Sequence, residues 1–174
     1  VVAVSDMIDS SKNISGLVRS FGAAAEKRND LHLTLVGGGP DEQKIQNLIQ
    51  EHRLQDKITF KGRLAHASVL EEMKRCDFYI CNSNVETFGM TAAEALLSGK
   101  PVISTRCGGP EEFLNDSNAL LVNPNDSDQL TDAILKMSDG FNRYSPELLA
   151  TAIDQRFGKS AVKQKLVSFY NAVI

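Results

Sequence analysis

Glu86 and Glu94, two carboxylates separated by seven residues, flank the segment Phe88, Gly89, Met90 and Thr91. The first stands in a loop, and the second about one turn inside the helix that this loop feeds, so both can look towards the place where the helix begins. The backbone N–H groups of Phe88 to Thr91 are expected to be free there, at the positive end of the helix dipole, where phosphate oxygens are readily held. Gly89 permits close approach. Amides that take an anion, set between carboxylates that accept from hydroxyl groups, suit a nucleotide-sugar.

The elements that must position these groups are legible on either side. Asp77 to Cys81 is a short apolar run suited to a buried strand, and Pro101 to Thr105 is another. Between them Met90, Ala93, Ala95, Leu96 and Leu97 supply the apolar positions of a helix, which Gly99 ends and Pro101 prevents from continuing. This is a strand–loop–helix–strand unit, the building block of a parallel α/β sheet.

The rest of the chain repeats that alternation. Strands are predicted at Val1 to Ser5, Leu31 to Val36, Lys57 to Phe60 and Ala119 to Val122, in addition to the two above. A loop from Asp6 to Asn13 leads into a helix with Ile14, Leu17, Val18, Phe21 and Ala25 on its inner face. Pro40 is placed to open a helix carrying Ile45, Leu48 and Ile49, and His66 to Arg75 is a helix with Val69, Leu70 and Met73 inward. A short helical turn is expected at Pro110 to Leu114. Three helices close the chain: Asp126 to Met137, Pro146 to Phe157, and Ser160 to the end with Val162, Leu166, Phe169 and Val173 inward.

Six strands alternating with helices predict an α/β fold, a doubly wound, six-stranded parallel Rossmann-like sheet in the order 3-2-1-4-5-6. In that order the winding reverses between strands 1 and 4, and ligands bind outside their carboxyl ends. The loops meeting there are Asp6 to Asn13 and Asn82 to Met90. The pattern of apolar runs and the topology therefore indicate one spot.

With 174 residues the chain is about one domain long, and its net charge of −3, with both signs dispersed, gives no reason to propose nucleic acid as a partner. No run approaches the length of a transmembrane helix, which leaves a peripheral membrane association at most. Cys76, Cys81 and Cys107 form no C-x-x-C pair and are odd in number, which argues for a reducing, cytoplasmic compartment and for small buried hydrophobes. His32, His52 and His66 are scattered, so no metal cluster emerges and no cofactor is expected.

The Glu86-x7-Glu94 pair, Thr87-Phe88-Gly89 after the first Glu, Glu94-Ala95, Gly99 to Ile103 (Gly-Lys-Pro-Val-Ile) and Gly108-Gly109 together resemble the signature of retaining glycosyltransferase family 4, the glycosyl transferases group 1, of GT-B fold. The resemblance covers the C-terminal, donor-binding half of that fold, residues 1–174. It implies that the N-terminal acceptor domain is absent from this chain, and that the chain alone binds nucleotide weakly and turns over little. It further implies metal-independent transfer of a sugar from a nucleoside diphosphate sugar to the hydroxyl of an acceptor glycan or lipid, with retention of configuration, in polysaccharide biosynthesis.

By the same likeness, Lys12 grips the diphosphate and Glu86 sits against the donor sugar, as the catalytic pair. The amides of Phe88, Gly89, Met90 and Thr91 surround sugar and phosphate, Glu94 binds the ribose hydroxyls, and Arg63 and Leu64 stand where the base is held largely by main chain. One position departs from the pattern. Six residues before the lysine the family usually carries an arginine after a glycine, and here the pair is Ser5-Asp6. Reversing such a charge about 4 Å from a phosphate, at an effective dielectric near 20, is worth several kcal/mol before relaxation. Asp6 turning aside is the favoured resolution; compensation by a cation such as Arg106, or weakened catalysis, are the others.

Two other function classes stay in view. A dinucleotide-dependent oxidoreductase needs G-x-G-x-x-G after strand 1, where no glycine precedes Gly16, and Gly37 to Gly39 is followed by Glu42 in place of the third glycine. A non-catalytic sugar-nucleotide-binding or scaffold module of the same fold is the stronger alternative, because of Asp6.

Overall fold

The computed structural model describes residues 1–173. Six parallel strands, β1 (Val2–Val4), β2 (Leu33–Val36), β3 (Ile58–Phe60), β4 (Tyr79–Cys81), β5 (Val102–Thr105) and β6 (Ala119–Val122), form one sheet in the order β3-β2-β1-β4-β5-β6. That is the predicted order. β1 is central, pairing with β2 through Ala3 opposite Leu35 and with β4 through Val2 opposite Tyr79.

Alternation along each strand divides the core into two layers. In β4, Ile80 points to the face covered by α2 (Ile14–Lys27), α3 (Glu42–Glu51) and α6 (Ser127–Gly140), where Phe21, Leu17, Leu33, Leu35 and Ile134 are buried. Its neighbours Tyr79 and Cys81 point to the other face, under α4 (His66–Arg75), α5 (Met90–Leu97) and α7 (Pro146–Phe157), among Met73, Leu96, Val102 and Leu149. Fully burying one such large apolar side chain is worth about 1.5–3 kcal/mol, so each layer is anchored many times over. Cys76, Cys81 and Cys107 are buried free thiols within the second layer, and all three histidines are exposed.

Four local expectations are corrected. The loop after β1 contains a one-turn helix, α1 (Asp9–Lys12), stopped by Asn13 in the left-handed region at φ 45°. Polar clips make that turn: Asp41 Oδ2 accepts from the Asp9 amide at 2.7 Å, and Asp9 itself accepts from the Ser15 amide and from Lys44 Nζ, each at 2.7 Å. α5 buries Ala92, Ala93, Ala95 and Leu96, whereas Met90 and Leu97 are exposed, because three small alanines let the helix lie close to the sheet on that stripe alone. The short helical turn expected at Pro110 to Leu114 is present, and only its bounds shift, to a 3-10 turn at Gly109–Glu112 whose Pro110 carbonyl accepts from Phe113 and Leu114.

The fourth concerns α8 (Lys159–Val173). Val162, Leu166 and Phe169, expected inward, are exposed together with Val167 and Tyr170. α8 meets α7 through Lys165, whose ammonium donates to the Arg156 carbonyl at 3.2 Å. Amphipathic spacing identifies an apolar face but not whether this chain covers it. The side chain of Val173 lies outside the described residues.

Candidate functional site

The crossover brings the loops after β1 and β4 together, and side-chain amides stitch them. Asn84 donates its amide N–H to the Ser11 carbonyl (2.7 Å) and its Nδ2 to the Ser10 carbonyl (2.9 Å), while Asn82 Nδ2 donates to the Asn13 carbonyl (2.9 Å). On the other side Glu86 exchanges main-chain hydrogen bonds with the segment after β5: its N–H donates to Cys107 O and its carbonyl accepts from Gly109 N–H, both at 2.8 Å. A Cβ on Gly109 would lie 2.3 Å from Thr87 backbone, which explains a glycine there. Beneath this bridge the Cys81 thiol donates to Ser83 Oγ at 3.8 Å, and its interaction with the Cys107 thiol draws Cys107 down to about 7 against the effect of burial and pushes Cys81 up.

These ties place the first carboxylate. Glu86 Oε1 accepts from Lys12 Nζ at 2.6 Å and from Ser83 Oγ at 2.7 Å, and the pair is only partly exposed. Ser83 is itself buried and fixed by Thr105 Oγ1, which donates to its carbonyl. One Glu86 oxygen is thus committed inward. Lys12 keeps two of its three N–H donors.

α5 then begins at Gly89, whose φ of 84° lies in the left-handed region. Its carbonyl accepts from Ala92 and Ala93, and among the described residues no group accepts from the amides of Phe88, Gly89, Met90 or Thr91. They are the free amides anticipated from sequence. The Phe88 ring turns away from them to pack on Phe113 and Phe157, with ring centroids 5.2 Å apart in each pair. Aromatic pairs of this kind add about 0.5–1.5 kcal/mol each beyond their buried area, so the loop is held from behind.

Two adjoining clefts open here. One, of about 210 Å³, is walled by Lys12, Glu86 and the Thr87 to Thr91 segment. The other, of about 230 Å³, is walled by Val36, Gly37, Gly38, Arg63, Leu64 and Val69. Val4, Ser5, Asp6 and Thr91 belong to both. Behind Thr91 stands Tyr79, 1% exposed, whose hydroxyl is pushed well above the usual tyrosine range by burial.

Every site residue anticipated from sequence lies at this end of the sheet, with two differences in detail. Glu94 stands one turn beyond Thr91, outside the walls of both clefts, its Oε1 2.9 Å from His66 Nε2. Asp6 does not turn aside: it stays in the wall of both clefts, where its neighbouring cation is Arg63, 3.5 Å from Oδ1. Arg106 pairs with Glu111 instead, at 3.6 Å. Arg63 also donates to the Gly38 carbonyl at 3.1 Å, which explains why it leans across the cleft towards Asp6.

Ser83, Tyr79 and His66 were not singled out as site residues by sequence. Ser83, three residues before Glu86, carries no spacing signal, and Tyr79 lies within the run Asp77 to Cys81 that reads as a buried strand. Among the described residues no group of His, Cys, Asp and Glu is arranged to hold a metal ion, and no helix is long and apolar enough to cross a membrane.

The profile of the family described as "Glycosyl transferases group 1" matches residues 1–145. Among curated proteins, sucrose-phosphate synthase of Zea mays is 32% identical over 146 residues, 74% of this chain and 14% of that protein. Sucrose synthase of Melioribacter roseus is 28% identical over 176 residues, 90% of this chain and 21% of that protein. The chain spans 14% to 32% of the length of the curated relatives it matches. Among solved structures, a S. aureus TarM mutant in complex with fondaparinux, alpha-GlcNAc-glycerol and UDP has a TM-score of 0.87 at 21% identity, over 98% of this chain and 35% of that one. Sucrose-phosphate synthase of Thermosynechococcus elongatus has 0.82 at 27% identity, over 99% and 45%.

Proposed function

The chain belongs to the glycosyl transferases group 1 family, and from that membership we propose that it is the donor-binding domain of a retaining, metal-independent glycosyltransferase. The donor is a nucleoside diphosphate sugar and the acceptor a hydroxyl of a glycan or lipid, received by a further domain. The observation that carries this reading is the Lys12–Glu86 pair, 2.6 Å apart, facing the unpartnered amides of α5 in one cleft.

In this reading the diphosphate lies against the amides of Phe88 to Thr91 and the remaining Lys12 donors, which stabilise charge on the leaving group as the glycosidic bond breaks. Pre-formed donors of this kind need no metal. Glu86, with one oxygen committed to Lys12 and Ser83, directs the other at the sugar and orients it. Glu94 accepts from the ribose, and the Gly37 to Leu64 side of the second cleft takes the base through main chain and Arg63. Solved structures of the same fold in complex with UDP support a nucleotide as the ligand class.

Calorimetric titration with UDP, GDP and ADP tests the reading. One of the three binds, and Lys12→Met weakens it; no binding by any of them refutes the nucleotide site. Asp6 on the cleft wall favours a second reading, a non-catalytic sugar-nucleotide module. Assay of the full-length protein with a panel of donors separates the two, since transfer that disappears on Glu86→Ala excludes a scaffold.

A further inference from the structure

The Tyr79 hydroxyl lies 3.0 Å from the Val4 carbonyl oxygen and 2.7 Å from Thr91 Oγ1. These two contacts have only two protons to share, one on each hydroxyl, because a carbonyl can only accept. Both are satisfied by a single arrangement: Tyr79 donates to Val4, and Thr91 donates to Tyr79. Tyr79 is buried, so leaving either contact without its proton carries the cost of an unmade buried hydrogen bond. Thr91 therefore spends its proton inward and turns lone pairs outward.

Thr91 is also the α5 side chain shared by the two clefts. In a nucleotide the ribose lies between base and diphosphate, so a ligand spanning both clefts carries its ribose over Thr91. We propose that Tyr79 is a positioning residue that fixes the Thr91 hydroxyl as an acceptor, and that Thr91 Oγ1 thereby selects ribonucleotides by accepting from one ribose hydroxyl. Glu94, one turn on, takes the other with the oxygen that His66 leaves open. A phosphate oxygen over Thr91 Oγ1 meets lone pairs and is disfavoured, which keeps the ligand in register with the free amides.

The inference rests on the nucleoside diphosphate reading of the site, and the test separates the two. Calorimetry compares UDP, or GDP or ADP if either binds more tightly, with its 2′-deoxy and 3′-deoxy forms. For wild type the deoxy form lacking the hydroxyl that meets Thr91 binds about five-fold more weakly, the worth of one neutral hydrogen bond. Thr91→Val, which leaves Tyr79 its bond to Val4, brings that deoxy form to within two-fold of the parent, while Thr91→Ser restores the difference. Tyr79→Phe frees the Thr91 proton to turn outward, so that the hydroxyl can donate as well as accept, and lowers the discrimination without abolishing it. Thr91→Val retaining the wild-type ratio for both deoxy forms overturns the inference and leaves the site reading intact. Failure of UDP, GDP and ADP alike to bind wild type overturns the reading itself.

Discussion

Glu86→Gln should tighten the grip on a free nucleoside diphosphate even as it removes a group proposed to act in transfer. In the cleft, the carboxylates of Glu86 and Asp6 outnumber the one ammonium of Lys12, and Lys12 Nζ is already held at 2.6 Å by Glu86. Glutamine keeps an oxygen for Lys12 and Ser83 to donate to and removes only the charge. A unit charge about 6 Å from a phosphate, at an effective dielectric of roughly 40–80 for so open a cleft, repels it by about 0.7–1.4 kcal/mol. Losing it raises affinity by about three- to ten-fold, and releasing Lys12 adds to this. Calorimetry of UDP, GDP and ADP against wild type and Glu86→Gln, at low and at high salt, reads the effect. The gain shrinks as ionic strength rises, and is smaller in a Lys12→Met background, which has no ammonium to release. A nucleoside diphosphate sugar gains less than the diphosphate, because the sugar loses its partner. Unchanged or weaker diphosphate binding by Glu86→Gln would refute the reasoning, for it would mean that the carboxylate does not oppose the phosphates.

Gly89→Ala places a Cβ 2.5 Å from Pro110 Cγ on a residue with φ 84°, and is expected to destabilise the fold by about 1–3 kcal/mol, read as an earlier urea midpoint, together with weakened nucleotide binding. Asp6→Asn removes a cleft-wall carboxylate whose ion pair with Arg63 is long and exposed; it should strengthen diphosphate binding by about two- to five-fold and leave the urea midpoint unchanged. Burial raises the Asp9 carboxyl, but donation by Lys44 and Ser15 outweighs it and holds the group below its usual range. A carboxylate depressed by folding contributes stability above its unfolded pKa of about 3.9 and loses it as pH falls through the folded value. Wild type should therefore exceed Asp9→Asn in stability at pH 6, with the gap closing below about pH 4 in parallel urea titrations.

Strand order was readable from sequence because each strand is a short apolar run and each connection is helical, which leaves a parallel, right-handed winding with few alternatives. The α5 amides were readable too: loop, glycine and helix start are all local features. The misses share a cause. α1 depends on Asp9 meeting Lys44 and Asp41, residues more than thirty positions away, and no local propensity encodes that. Met90 and Leu97 are apolar residues at helical spacing, yet burial on α5 is set by which stripe meets the sheet, and the alanine stripe fits more closely. α8 carries an apolar face that the described residues leave exposed, which periodicity cannot reveal.

The pairing of Lys12 with Glu86 joins residues 74 positions apart, and although Glu86 stood out by its place before the helix, Lys12 was singled out only through the family resemblance. What makes the pair is the crossover: once β1 lies beside β4, the loops leaving their carboxyl ends must share one volume, and Asn82 and Asn84 fix their separation by donating to three carbonyls of the other loop, those of Ser10, Ser11 and Asn13. Ser83 lies between those two asparagines and donates to the same Glu86 oxygen that Lys12 holds. The segment that locks the loops is therefore the one that orients the carboxylate. In the proposed reading the same economy bears on Asp6: the amides of Phe88 to Thr91 would receive the diphosphate beside Lys12, and because their direction is fixed by the fold rather than by any one ion pair, a carboxylate at Asp6 would oppose the anion without removing its donors.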